Sequence, residues 1–150
     1  MTAPNSPIDL TLTRTFPVPP EVVFAAWTDA THLAQWWGTS EFPGSGAEID
    51  LQVGGTWRAC MTSPQGEDHW AGGTFQTIDP PRQLAFSFAW AAYPTSVSDI
   101  TITLVPHATG TEMTFHQRLT VSPETSAGYE AGWVDTFDRL LNHFTALPIA

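Results

Sequence analysis

The 150-residue chain has room for one domain and not for two full cores. Hydrophobic residues make up 42% of it, with seven Trp and nine Phe, so a core built on large rings can form. Fifteen acidic residues against five basic ones leave a net charge of -10, which excludes a nucleic-acid partner and disfavours an anionic membrane surface.

The five basic residues are all Arg (Arg14, Arg58, Arg82, Arg118, Arg139). The acid excess reads as a device for solubility. Cys60 is the single cysteine, so an internal disulfide is impossible, in keeping with a reducing cytoplasm. Met1 to Pro7 has neither a basic start nor an apolar run, so it reads as a flexible tail and not as a signal peptide. The longest apolar stretch, Leu84 to Tyr93, is short of the ~20 residues a membrane span needs.

Ile8 to Phe16 alternates, with Ile8, Leu10, Leu12 and Arg14 on one side and Thr residues on the other, which predicts a half-buried strand. Pro17, Pro19 and Pro20 end it and suit the first turn of a helix carrying Val23, Phe24 and Trp27 on one stripe. Asp29 is placed to cap a second short helix, Ala30 to Trp37, with Gly38 as its stop. From Glu41 the texture changes to strands and turns. Ile49 and Leu51 flank Asp50, Gly54-Gly55 is a turn, and Trp57, Ala59 and Met61 alternate. Trp70 to Ile78 is a strand in which Gly72-Gly73 marks a bulge or a close backbone approach. Leu84, Phe86, Phe88 and Trp90 form a period-two aromatic ladder. Ile100, Ile102 and Leu104, and then Met113, Phe115, Gln117 and Leu119, repeat the pattern.

The final element is an amphipathic helix of about six turns. Ser122 caps it, Pro123 and Glu124 start it, and Trp133, Val134, Phe137, Leu140, Leu141, Phe144 and Leu147 recur at spacings of three and four, with Pro148 as its end. A strand, two short helices, a run of antiparallel strands and one long helix make an α+β order. The sheet needs a cover for its apolar face, and the terminal helix supplies it.

The run Arg14-Thr15-Phe16, Val23-Phe24, Ala26-Trp27-Thr28-Asp29 and Trp36-Trp37-Gly38 resembles the start of the activator of heat-shock-protein-ninety ATPase homologue family. Gly54-Gly55-Thr56-Trp57, Gly73-Thr74-Phe75, Ile78-Asp79-Pro80-Pro81-Arg82-Gln83-Leu84, Gly110-Thr111-Glu112-Met113-Thr114 and Gly132-Trp133 continue the likeness over about residues 8–147. The resemblance implies a START-like, birch-pollen-allergen-like helix-grip fold (the SRPBCC superfamily). It is a curved antiparallel sheet of six to seven strands around the last helix, with a cavity between them. It also implies binding of lipids, hormones or polyketides, or cyclase and aromatase chemistry. The co-chaperone that names the family carries a further N-terminal domain, for which this length leaves no room. Where the family often has an acidic residue before its Pro-Pro turn this chain has Thr77, and where it often has a His before its Gly-Trp this chain has Tyr129.

Few residues carry recognisable chemistry. His32, His69, His107, His116 and His143 lack paired metal-ligand spacing, and no cofactor motif is present. Gly44-Ser45-Gly46 lacks the spacing of a nucleophile elbow, and Glu67-Asp68 reads as a solvated turn. The expectation is a single domain over 8–147 behind a tail of residues 1–7. Its cavity would be lined by Trp37, Trp57, Met61, Trp70, Phe75, Phe86, Phe88, Trp90, Ile102, Phe115, Trp133, Phe137 and Leu141, with Arg58, His116 or Gln117 orienting a small hydrophobic ligand. The alternatives are a pocket enzyme of the cyclase, aromatase or hydrolase type, and an interaction module with a chaperone partner. A homodimer stays open.

Overall fold

The computed structural model describes residues 5–146. Among them the chain forms β1 (Ser6–Phe16), α1 (Pro20–Thr28), α2 (Ala30–Trp36), β2 (Gly44–Ile49), β3 (Thr56–Thr62), β4 (Asp68–Asp79), β5 (Gln83–Trp90), β6 (Ser98–His107), β7 (Gly110–Val121) and α3 (Pro123–Thr145). The seven strands make one curved antiparallel sheet in the order β1-β7-β6-β5-β4-β3-β2. Strands β2 to β7 follow one another through short turns, and β1 returns to pair with β7. β1 and β2, consecutive strands, therefore sit at opposite edges, and α1 and α2 carry the chain between them.

The local signals act as the sequence suggests. Proline opens α1 in place of a capping side chain. The Asp29 carboxylate accepts hydrogen bonds from the Thr31 and His32 amides at the start of α2, and the Ser122 hydroxyl accepts one from the Thr125 amide at the start of α3. α2 closes one residue early, with Trp37 as its C-cap. Gly38 follows at φ +88, and a β-carbon there would lie 2.2 Å from the Phe42 carbonyl oxygen, so this turn needs glycine.

Three expectations are adjusted. β1 starts at Ser6, so Ser6 and Pro7 pair with Val121 and Thr120 instead of belonging to the tail. The bulge in β4 falls between Phe75 and Thr77, while Gly73 marks a close approach. Its β-carbon would sit 1.9 Å from the Ser87 carbonyl, the same oxygen that accepts the Trp57 indole N–H at 3.0 Å. Val134 is 41% exposed. It follows Trp133 by about 100° around the helix and so leaves the buried stripe. The expected tail's first four residues, Leu147 and Pro148 lie outside the described residues.

The core lies between the inner sheet face and the helices. Phe16, Trp36, Phe88, Phe115, Phe137, Ile100, Ile102 and Met113 are fully buried there. Trp133, Thr136, Phe137, Leu140 and Phe144 are the buried residues of α3, so this helix packs through the part from Trp133 onward. No described helix is long and apolar enough to cross a membrane.

Candidate ligand cavity

The first ten residues of α3, 123–132, contribute no buried residue, and a cavity of about 590 Å³ opens beneath them. Its helix wall is one face of α3: Thr125, Gly128, Tyr129, Gly132, Trp133 and Thr136. Phe88 and Trp90 of β5, Val121 of β7 and Met61 of β3 form the sheet side. Trp37, Gly38 and Thr39 after α2, and Tyr93 and Ser96 between β5 and β6, complete it. Gly128 and Gly132 explain the space directly, because a β-carbon at either would meet nothing within 4 Å.

The wall is held by packing and by polar ties. Trp37, Phe88 and Trp133 meet at ring separations of 5.6 to 6.4 Å. Behind Trp133 runs a buried hydrogen-bonded chain. Its indole N–H donates to the Gln117 side-chain oxygen at 2.9 Å, and the Gln117 amide donates to the Ser98 hydroxyl at 2.9 Å. The Thr136 hydroxyl lies 2.6 Å from the Gly38 carbonyl and 2.9 Å from that of Gly132. Ser40 donates from its hydroxyl to Asp135 at 2.9 Å. Arg139 donates to the Gln35 and Trp36 carbonyls at the end of α2, where a cation suits the helix dipole. These contacts fix α3 to the α2–β2 connection along one edge of the cavity.

Among the described residues no Asp, Glu, His, Arg or Lys lines the cavity, whose polar side chains are hydroxyl-bearing apart from its tryptophans. Tyr129 is half-buried. Burial pushes its phenol above the ordinary range, and the nearby Trp90 indole N–H partly offsets this. Its ring meets Phe88 edge-on at 6.4 Å. The indole N–H groups of Trp27 and Trp37 are buried without an acceptor among the described residues. Both rings border a second void of about 10 Å³, together with Trp57, Phe75 and Phe86. It is at most the size of one water site.

The expected lining residues therefore separate. Trp37, Met61, Phe88, Trp90 and Trp133 face the cavity. Trp57, Phe75 and Phe86 surround the small void. Ile102, Phe115 and Phe137 are core, with Phe115 packed 4.7 Å from the Trp133 ring and 5.2 Å from Phe137. Leu141 packs against that core, and Gln117 is occupied by Trp133 and Ser98. Trp70 lies on the opposite face of the sheet from Ala71, with the Arg58 guanidinium 4.4 Å above its ring. Arg58 also bonds Glu48 at 2.6 Å, which lowers the Glu48 carboxyl and raises the arginine. His116 points outward between inward Phe115 and Gln117 and bonds Asp9 at 2.9 Å, beside Arg118. From there neither Arg58 nor His116 reaches the cavity.

Gly128, Tyr129 and Gly132 were legible as the N-terminal continuation of the Trp133 stripe, and Thr136 follows Trp133 by three residues on the same face. Thr39, Tyr93 and Ser96 come from loops, where periodicity gives no signal. Among the described residues no three His, Cys, Asp or Glu side chains come together in a way that could hold a metal ion.

A seven-stranded antiparallel sheet gripping a C-terminal helix over an apolar cavity defines the START-like helix-grip class. Within that class the match is to the Activator of Hsp90 ATPase homolog 1-like protein family, over residues 17–145, and the chain belongs to that family. The structure resembles a protein of Rhodobacter sphaeroides at 23% identity and a TM-score of 0.81, covering 99% of this chain and 100% of that one. It also resembles the AHSA1 protein of Silicibacter pomeroyi at 25% identity and a TM-score of 0.81, covering 92% and 98%. A Chromobacterium violaceum protein matches at 25% and 0.80, covering 94% and 98%. No curated protein matches the sequence.

Proposed function

We propose that the protein is a START-like binding domain of the cytoplasm that takes up one small hydrophobic or aromatic molecule beneath α3. The observation that carries this reading is the cavity itself. Its volume of about 590 Å³ falls within the range of about 300–1,000 Å³ typical of small-molecule sites. Its lining is aromatic and aliphatic with a few hydroxyls, so affinity would come from apolar burial.

Two observations favour binding over the alternatives. A cyclase, aromatase or hydrolase would place an acid or base in the cavity, whereas the lining offers hydroxyls and rings. An interaction module, including one for a chaperone partner, would present a continuous apolar patch. The exposed large apolar residues fall in four places instead: Leu51 and Val53 between β2 and β3, Tyr93 and Val97 between β5 and β6, Val105 in β6 and Val134 in α3.

Titration with the neutral dye Nile red tests the proposal. The native protein is expected to bind one equivalent saturably, and Gly132→Phe, which fills the cavity from the helix side, to abolish binding while still unfolding cooperatively. Absence of saturable binding, or equal binding by a folded Gly132→Phe variant, refutes it.

A further inference from the structure

The lining sets a rule on charge. An ionised ligand group keeps its charge inside protein only when counter-charges or several donors replace its hydration. The cavity offers neither an Arg nor a His, and the chain as a whole carries a net charge of -10. The start of α3 does not fill that role. Glu124 occupies its first turn, the Ser122 hydroxyl takes the Thr125 amide, and the Ser122 carbonyl takes the Ser126 amide.

The hydroxyls are unequal. Thr136 gives its proton to the Gly38 and Gly132 carbonyls, whereas Thr125 accepts from the Ser122 hydroxyl at the exposed start of α3 and Thr39 accepts from the Phe42 amide in the loop after α2. Tyr93 and Ser96 are exposed at the mouth. Tyr129 is half-buried on the helix wall, with its ring set against Phe88. A phenol keeps its proton at neutral pH, and this one stands on the cavity wall where a ligand acceptor can receive it.

We infer that the cavity selects uncharged ligands whose apolar body carries a hydrogen-bond acceptor such as a ketone or ether oxygen, received by the Tyr129 hydroxyl, and rejects carboxylates of the same shape. The inference rests on the binding reading above and gives it a ligand class and a specificity-determining residue.

Displacement of Nile red by three matched probes tests it: benzophenone, diphenylmethane, which replaces the carbonyl by a methylene, and diphenylacetate. Benzophenone is expected to bind about five- to tenfold more tightly than diphenylmethane, the worth of one hydrogen bond in a buried site. Diphenylacetate is expected to bind at least tenfold more weakly than diphenylmethane. In Tyr129→Phe the ketone's advantage over diphenylmethane disappears. Equal affinities for ketone and hydrocarbon in the native protein, or a carboxylate as tight as the ketone, overturn the inference while leaving the binding reading intact. This comparison needs no variant. Failure of Nile red and all three probes to bind overturns both.

Discussion

Gln117→Leu is the perturbation whose cost follows most directly from the structure. Gln117 is fully buried and sits between one donor and one acceptor, taking the Trp133 indole N–H and giving its amide to Ser98, both at 2.9 Å. Leucine keeps most of the volume but offers neither function. Trp133, itself 6% exposed, is then left with a buried donor. An unsatisfied buried group costs about 1–3 kcal/mol, and the desolvation of the amide that no longer has to be buried offsets part of it. Ser98 retains the Phe88 carbonyl at 3.5 Å, so its loss adds little. The expected destabilisation is about 1–3 kcal/mol, or a fall in Tm of roughly 2–12 °C for a domain of this length. Thermal and urea unfolding followed by circular dichroism measure it. Trp133→Phe, made alone and with Gln117→Leu, completes a cycle in which the double variant is less destabilised than the sum of the singles. A Gln117→Leu protein that melts with the native one, or a strictly additive cycle, refutes the claim that this hydrogen-bonded chain fixes the cavity's inner wall.

Gly128→Ala and Gly132→Ala should each stabilise the protein by about 0.5–1 kcal/mol, because alanine is the better helix former and no atom lies within 4 Å of the added carbon. A lower Tm in either variant would show that the helix wall is closer to its neighbours than described. Acid should destabilise through His143. Burial and the His32 ring, 3.2 Å away, hold its pKa below the ordinary 6.5, so the unfolded chain takes up the proton more readily than the folded one. Its stabilising contribution is therefore complete above about 6.5 and declines as pH falls below that value. Melting from pH 7.5 to 5.5 is expected to narrow the gap between the native protein and His143→Gln, and a gap independent of pH would contradict this.

The fold was legible because the chain states each period clearly. The pleat of a strand enforces alternation, so the side chains of Leu84, Phe86 and Phe88 identify their own inward face. The same parity argues against His116 as a ligand contact, since it lies between Phe115 and Gln117 and both of those face inward. Parity gives direction and not depth. Phe115 and Phe88 both point inward, yet Phe115 is covered by Trp133 and Phe137 while Phe88 borders open space. Nor could period two reveal that Gln117 is spent on Trp133, since that partner is 16 residues away on another element.

Depth is decided by α3. A single stripe runs along the helix, and its residues change size partway. Trp133, Phe137, Leu140 and Phe144 fill the space over one part of the sheet, whereas Thr125, Gly128 and Gly132 leave it over β5. The boundary is pinned by the Thr136 and Ser40 contacts to the α2–β2 connection. Apolar burial that holds the helix thus comes from Trp133 onward, while Thr125, Gly128 and Gly132 of the cavity wall contribute little to it. Substitutions on the wall at 128, 129 and 132 should therefore change what the cavity accepts at small cost to stability, while substitutions at 137, 140 and 144 should cost stability first. A protein whose wall variants unfold as readily as its core variants would not be built this way.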